Sequence, residues 1–287
     1  MKKRFAVIAA LFCVLAACDE ESNIHIQGGS GCGLRADGTA VCWGSGSPYS
    51  LTPPAGVQFR AVGAAQEFAC GLTNAGAIRC WGRMSSTQAG PFTGLAVGRV
   101  DVCGLTDSAI HCWSPDRVGT TISGTFGSIS MGDEDLVCGI DSESEEVECY
   151  DISVRQSGWS GPWLQSPYGV RYAMASVGAA ACGIRTNGTV SCWSGITATP
   201  PTGANFREIA VGQNFACAVR ETGQVACWGD DSDGQLQVPA GWYRELSAYR
   251  EGMCGIRTDG TVRCWGTGVS GNTAVPAGLV LKVASSS

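Results

Sequence analysis

A pair of cysteines recurs seven times along this chain of 287 residues. The clearest copy runs from Cys254 to Cys264 and has the pattern of a β-hairpin, with a turn at residues 258–260 whose glycine can adopt a positive φ. Counting outward from the centre of the turn places Ile256 opposite Val262 and the two cysteines opposite each other. All four share one face, because side chains alternate along a strand. The pattern therefore predicts two strands tied together across each hairpin.

Two copies differ in loop length, and they decide how the cysteines pair. The third copy is one residue shorter and the fourth one residue longer, yet the cysteines stay opposite in both. A zinc site more often uses cysteines two to four residues apart, with four ligands together. We therefore predict seven cross-strand disulfides, with no metal and no other cofactor. The predicted pairs are Cys32 with Cys42, Cys70 with Cys80, Cys103 with Cys112, Cys138 with Cys149, Cys182 with Cys192, Cys217 with Cys227, and Cys254 with Cys264.

The spacing of the copies predicts the fold. Successive first cysteines lie 33 to 44 residues apart, with a mean of 37, and a period in this range is typical of a solenoid, a propeller or an array. Each unit has three short strands and a weaker fourth, and no segment shows a long helical period. We predict an all-β, seven-bladed β-propeller over residues 24–287, with one cross-strand disulfide per blade. A tryptophan follows six of the seven second cysteines, and we expect its ring to cover the glycine after the first cysteine and to pack blade on blade.

The end of the chain suggests how the ring closes. Leu279–Val283 follows a Pro-Ala-Gly corner, where the first strand of a unit belongs, but no hairpin comes after it. We expect this strand to join the first blade. The alternative is that Ile24–Ile26 fills that place and the C-terminal strand only lies against the edge.

The N-terminus has the pattern of an export signal. A basic start is followed by the apolar run Phe5–Ala17, too short to span a membrane comfortably. Leu15-Ala16-Ala17-Cys18 resembles the lipobox of bacterial lipoproteins, which implies a signal peptide at 1–17, a lipid on Cys18 and a tether at 18–23. The alternative is an ordinary secretory peptide cut after Ala17. Asp19 resembles an inner-membrane retention signal.

The charge balance restricts the partners. The net charge is −6, and removal of the signal peptide with its three basic residues makes it −9. Binding to nucleic acid is favoured by clustered lysine and arginine, so we expect no nucleic-acid partner. The cysteine content indicates an oxidising compartment.

The repeat resembles that of the regulator of chromosome condensation (RCC1) family. Residues 228–236, Trp-Gly-Asp-Asp-Ser-Asp-Gly-Gln-Leu, are similar to the W-G-x-N-x-x-G-Q-L stretch of that family. The resemblance extends over about residues 24–287 and implies a seven-bladed propeller. Paired cysteines in every blade are similar to those of secreted bacterial members, and the propeller-type β-lactamase inhibitor is the nearer functional analogy.

No motif indicates catalysis. The chain has two histidines, His25 and His111, and His111 points away from the face of the adjacent Cys112, as a blade-surface residue would. If every cysteine of the mature chain is paired or lipidated, no thiolate nucleophile remains. Asp230–Gly234 hints at calcium, but the glutamate that an EF-hand needs at position 12 is missing, so we interpret it as a repeat turn. We expect no enzyme.

The fourth unit is the outlier and the candidate binding site. It carries eight acidic residues and no basic residue between Asp133 and Glu148, followed by a long connection rich in aromatics. Exposed aromatics beside charge are typical of protein-binding anchors. The alternative is a solvated hairpin whose loop packs on its own blade. The candidate partner-binding residues are Trp159, Trp163, Tyr168, Glu143, Glu145 and Glu146; Trp242 and Tyr243 are a lesser candidate.

The sequence thus favours a recognition module. We expect a monomeric propeller in a bacterial cell envelope, facing the periplasm or the surface and held to the membrane through its N-terminal lipid only. Its expected partner is an envelope or extracellular protein. The alternatives are a lectin-like, carbohydrate-binding propeller and, less favoured, a hydrolase.

Overall fold

Seven antiparallel sheets make up the protein. The structure, a computed structural model, describes residues 24–27, 30–44, 51–132, 135–153, 166–267, 275–277, 279 and 281. Blades 1 to 3 contain β1 (Ile24–Gln27), β2 (Ser30–Leu34), β3 (Ala40–Gly44); β4 (Phe59–Ala64), β5 (Phe68–Thr73), β6 (Ile78–Gly82), β7 (Thr87–Gln88); and β8 (Gly94–Val97), β9 (Val102–Thr106), β10 (Ala109–Ser114), β11 (Arg117–Ser123). Blades 4 and 5 contain β12 (Phe126–Met131), β13 (Leu136–Asp141), β14 (Val147–Asp151); and β15 (Tyr172–Val177), β16 (Ala181–Arg185), β17 (Val190–Ser194). Blades 6 and 7 contain β18 (Phe206–Val211), β19 (Phe215–Arg220), β20 (Val225–Gly229); and β21 (Tyr243–Tyr249), β22 (Gly252–Arg257), β23 (Val262–Gly266).

The first strands of the seven blades form a closed ring. Each contacts the first strand of the next blade, and β21 of blade 7 contacts β1 of blade 1. The same seven strands line a central channel. The predicted seven-bladed propeller is therefore confirmed. The described residues contain no helix that could cross a membrane.

The seven predicted disulfides are present, one in each blade. Every second and third strand pair in the predicted register, with the cysteines directly opposite each other and their Cα atoms 3.9 to 4.1 Å apart. This separation is that of a non-hydrogen-bonded pair in an antiparallel ladder. The backbone amide and carbonyl of each cysteine therefore point away from the hairpin, toward the blade's first strand or its outer edge.

The seams between blades hold the hydrophobic core, and the blade 1–2 seam is typical. Blade 1 presents its disulfide with Leu34 and Ala40, and blade 2 presents Phe59 and Trp81, whose ring centroids are 5.6 Å apart. Seven such clusters occur, one for each seam. Burying apolar surface from both neighbours is what makes one blade depend on the next.

The residue that covers the glycine after the first cysteine differs from the prediction. A Cβ added at Gly71 would lie 2.4 Å from Cδ1 of Phe59, so the ring of Phe59 rests on the bare backbone and Trp81 packs beside it. We call the residue in the position of Phe59 the anchor of its blade. The anchors of blades 2 to 7 are Phe59, Phe92, Phe126, Tyr172, Phe206 and Tyr243.

Blade 1 takes its strand and its anchor from opposite ends of the chain. The expectation that the C-terminal strand would join the first blade was wrong for the strand itself, because β1 pairs with β2. Leu281, however, is 1% exposed and its amide donates to the carbonyl of Gly260 at 2.9 Å. The amide of Phe59 donates in the same way to Gly38 at 2.8 Å, so Leu281 occupies the anchor position of blade 1. Both ends of the chain therefore complete this seam.

The prediction of a fourth strand in every blade was only partly right. Blades 2 and 3 have an outer fourth strand, β7 and β11. The connections after β17 and β20, at 195–205 and 230–242, are fully described and contain no strand. Both are rich in glycine and proline, and proline cannot donate to a strand ladder, so these two blades end at the third strand.

Candidate functional site

Hairpin turns and incoming corners share one face of the ring. The turns between second and third strands lie beside the corners that lead into the next blade, because anchor amides donate to turn carbonyls, as Tyr243 does to Gly223 at 2.8 Å. We call this the turn face. The candidate glutamates and Tyr168 belong to the turn of blade 4 and to the corner that follows it.

The turn of blade 4 presents the three candidate glutamates, Glu143, Glu145 and Glu146. Asp141 shapes the turn: its Oδ1 accepts the amides of Ser144 at 2.7 Å and Glu143 at 3.0 Å. These hydrogen bonds, that of Ser144 first, lower the pKa of the Asp141 carboxyl below its ordinary value. The extra residue of this turn is accommodated at Glu145, which has a φ of 59°.

The corner into blade 5 joins Tyr168 to this turn. The backbone carbonyl of Glu145 accepts the amide of Tyr172 at 2.8 Å, and its carboxylate lies 3.7 Å from the Arg171 guanidinium. Oε1 of Glu146 accepts the amide of Gly169 at 3.1 Å. Tyr168 is 95% exposed, with its ring in solvent. The other two candidate residues, Trp159 and Trp163, lie outside the described residues. The structure thus places an exposed aromatic ring beside a cluster of carboxylates.

A cavity of about 310 Å³ runs from this corner along the outer edge of β14. Glu148 projects from the middle of the strand, and its Oε2 accepts the hydroxyl of Tyr150. Burial, and then this hydrogen bond, raise the pKa of Tyr150 well above its ordinary value. The lining residues are Glu146, Val147, Glu148, Cys149, Tyr150, Ser166 and Tyr168.

The lesser candidate pair divides between surface and core. Trp242 is 52% exposed and lies on the turn face, since its carbonyl accepts the amide of Thr258 at 2.9 Å. Tyr243 is the buried anchor of blade 7, and burial raises the pKa of its hydroxyl. His111 belongs to β10 and pairs with Thr121 of β11, with Nδ1 3.1 Å from Oγ1 of Thr121, and it does not line the channel.

The channel wall uses its polar groups to join blades. Oγ of Ser130, Ser176 and Ser247 each accept a backbone amide of the next blade at 3.1 to 3.2 Å. His25 has the same position in blade 1, where Nδ1 lies 3.1 Å from the amide and 2.9 Å from the carbonyl of Ala64. Because Nδ1 of a neutral imidazole can accept the amide as the serines do, we assign it as the acceptor. These groups serve the ring and leave a channel cavity of about 160 Å³.

The aspartates of 230–234 also have structural partners. Asp230 and Asp231 accept the amides of Ser232 and Leu236, and Asp233 accepts the hydroxyl of Thr267. The described residues contain no group of three or more His, Cys, Asp or Glu that could hold a metal ion. The loop instead carries Gln235, whose carbonyl accepts the indole N–H of Trp265 at 2.8 Å.

Fold and repeat together define the class of protein. It is a disulfide-linked, seven-bladed β-propeller, and residues 206–235 match the family model of the regulator of chromosome condensation (RCC1) repeat. A search of curated protein sequences found no match.

Solved structures from eukaryotes share the fold. The CRINKLY WD40 ectodomain of the receptor kinase ACR4 from Arabidopsis thaliana is 25% identical, with a TM-score of 0.69 over 86% of this chain and 96% of that one. The entire ectodomain of the receptor kinase CR4 from Physcomitrella patens is 23% identical, with a TM-score of 0.70 over 85% and 72%. Human WBSCR16 is 14% identical, with a TM-score of 0.62 over 86% of each chain. The chain is therefore similar in architecture to these structures, two of which are receptor ectodomains.

Proposed function

We propose that this propeller is an extracytoplasmic module that binds a protein partner through the turn face of blade 4. The observation that carries the proposal is Tyr168, a large ring that is 95% exposed on a framework that buries or partly buries its other described large apolar side chains except Trp242. Exposed aromatic rings are common anchors in protein interfaces, because burial of a ring on binding contributes much of the affinity. The neighbouring Glu143, Glu145 and Glu146 favour a partner with a basic surface.

The framework suits recognition rather than chemistry. Seven disulfides and seven packed seams hold the turns in a fixed arrangement, so a partner meets a preorganised surface. No enzyme activity is proposed. A lectin-like function is less favoured, since the two exposed aromatics of the described residues differ in position: Tyr168 is four residues before its anchor, whereas Trp242 immediately precedes its own.

The experiment is capture of partners from envelope and surface extracts with residues 19–287, compared with Tyr168→Ala and with Glu143→Gln/Glu145→Gln/Glu146→Gln. Trp242→Ala is the matched control, because it removes the other exposed aromatic of the same face. We expect one protein to be retained by the parent and the control and lost from both blade 4 variants. Equal retention by all four would move the site elsewhere, and no retained protein would contradict the proposal.

The disulfides and the N-terminal sequence support a proposal for the location. An oxidising compartment is where seven disulfides form and persist, and two similar structures are receptor ectodomains. We propose that Cys18 carries a lipid that anchors the tether at 18–23 to a bacterial membrane. Cys18→Ser should then move the protein from the membrane fraction to the soluble fraction, and an unchanged distribution would contradict the anchor.

A further inference from the structure

The outer edge of β14 offers backbone groups that other blades use for pairing. Cys149 lies in a non-hydrogen-bonded pair with Cys138, and on β14 its amide and carbonyl point outward. In blade 2 the equivalent amide, that of Cys80, donates to the carbonyl of Ser86 at 2.8 Å. In blade 3 the equivalent Cys112 pairs with Thr120 of β11. The position beside β14 is thus one that the chain itself fills with a strand in two other blades.

One contact shows that a backbone carbonyl on this edge of β14 accepts a hydrogen bond from outside the hairpin. Oγ of Ser166 donates to the carbonyl of Val147 at 3.2 Å. The equivalent residue in blade 2, Ile78, pairs with Gln88 of β7. A side-chain hydroxyl therefore occupies the first rung of the ladder in blade 4. No hydrogen bond from the described residues outside the hairpin reaches the Cys149 amide, which is the second rung.

The side chains around the edge define the chemistry of an added strand. Glu146 and Glu148 line the 310 Å³ cavity beside it, and its described lining includes no lysine or arginine. Opposite charges on neighbouring strands stabilise pairing, and like charges oppose it. Tyr168 also lines the cavity, and its exposed ring can cover an incoming chain.

We propose that the edge of β14 binds an extended basic segment of the partner as the fourth strand of blade 4, antiparallel to β14 as β7 and β11 are to their neighbours. The inference rests on the proposed function, because it names how the partner engages the same site. Main-chain hydrogen bonds to Cys149 supply the pairing, and lysine or arginine side chains beside Glu146 and Glu148 supply the selectivity.

The test uses residues 19–287, which contain the whole ring, and a synthetic seven-residue peptide of alternating lysine and valine. Amide hydrogen exchange is measured for Cys149, with Cys80 as an internal control whose amide is already bonded within the chain. We expect the Cys149 amide to exchange quickly in the free protein and at least about tenfold more slowly with saturating peptide. The Cys80 amide should be slow throughout. A peptide with N-methylated amides at alternate positions should not bind, and Glu146→Gln/Glu148→Gln should weaken binding about tenfold or more.

Several outcomes would overturn the edge proposal while leaving the proposed function intact. A slowly exchanging Cys149 amide in the free protein would mean that the chain itself fills the edge. Protection of the Cys42 amide instead would place the peptide on β3 of blade 1. Absence of binding at millimolar peptide, or equal binding of the N-methylated peptide, would exclude strand pairing. The proposed function would survive each result if Tyr168→Ala still lost the captured protein.

Discussion

At the scale of single residues, bare backbone at the seams matters as much as large side chains. The glycine after the first cysteine leaves room for the anchor ring of its own blade, as Gly71 does for Phe59. Blade 6 has Ala218 at this position, and its anchor Phe206 lies beneath the guanidinium of Arg220, 4.2 Å from the ring centroid. The one alanine at this position thus occurs in a blade whose anchor ring packs against an arginine.

Gly71→Ala should destabilise the propeller by about 1 to 3 kcal/mol, because the new Cβ would lie 2.4 Å from Phe59 and would displace the ring. Urea unfolding would measure the change. Ala218→Gly is the matched control and should cost only about 0.5 to 1 kcal/mol, since it removes a methyl group from a strand without a clash. A neutral Gly71→Ala would contradict this account of the seam.

His25 makes the blade 1–2 seam sensitive to acid. Burial lowers the pKa of its imidazole from 6.5 to about 4, while the Ala64 carbonyl, which would accept a hydrogen bond from the protonated ring, acts in the opposite direction. The unfolded chain takes up a proton near pH 6.5 that the folded chain resists until about pH 4. Stability from this group is therefore complete above pH 6.5 and is lost as the pH falls from 6.5 toward 4, by up to about 3 kcal/mol.

His25→Asn tests this directly. Its amide oxygen can accept the Ala64 amide but does not titrate in this range. Unfolding free energies measured from pH 7.5 to pH 4 should fall more steeply for the parent protein than for the variant, and the difference should develop below pH 6.5. Parallel profiles for the two proteins would show that His25 stays neutral or is solvated in both states.

At the scale of elements, the hairpin is the unit that dictates its own structure. Its register, its turn and its disulfide depend on residues 9 to 11 apart, so the sequence pattern was sufficient to predict all seven. The anchors were missed because Phe59 and Gly71 meet only after the first strand folds onto the hairpin. The outer strands were overestimated because their segments lack alternation, and β7 has only two residues.

The candidate site was predictable from composition to a similar extent. The acidic turn and the aromatic Tyr168 were recognised from residue type alone, but their partners were not. Arg171 pairs with Glu145, and Gly169 donates to Glu146, through a corner that only the propeller geometry brings to the turn. The outer edge of β14 can form hydrogen bonds because Cys149 lies at a non-hydrogen-bonded position of the β13–β14 ladder. Composition does not reveal that position.

Removal of a single disulfide should cost a similar amount in different blades. For Cys70→Ala/Cys80→Ala and Cys182→Ala/Cys192→Ala, the bonded cysteines are 10 residues apart. The chain-entropy account gives about 3 kcal/mol for each, reduced where the hairpin is already formed in the unfolded chain. Thermal or denaturant unfolding would measure both. A loss in one blade several times that in the other would show that seam packing, rather than loop closure, sets the contribution.

At the scale of the whole molecule, the ring depends on a contact between its ends. Leu281 packs with Ile24, Trp43 and Ile256 in the cluster between blades 7 and 1. Its amide bond to Gly260 repeats the link that joins other blades. The last anchor is thus an ordinary seam residue placed at the far end of the sequence.

Leu281→Ala should destabilise the protein by about 2 to 4 kcal/mol, because it empties a fully buried position in the closing seam. Leu279→Ala, at a partly buried position in the same cluster, is the control and should cost less. Urea unfolding followed by tryptophan fluorescence would compare them. Equal losses, or no loss at Leu281, would show that closure rests on β1 alone.

Each disulfide joins two consecutive cysteines of the repeat, and this has a consequence for oxidative folding. If the chain enters an oxidising compartment N-terminus first, as the proposed location implies, each bridge can close before the next blade arrives. Correct connectivity follows from the order of arrival, and reshuffling by an isomerase becomes unnecessary for blades that oxidise in turn. The seam between blades 7 and 1 must wait for Leu281, so it closes after the other six seams can form.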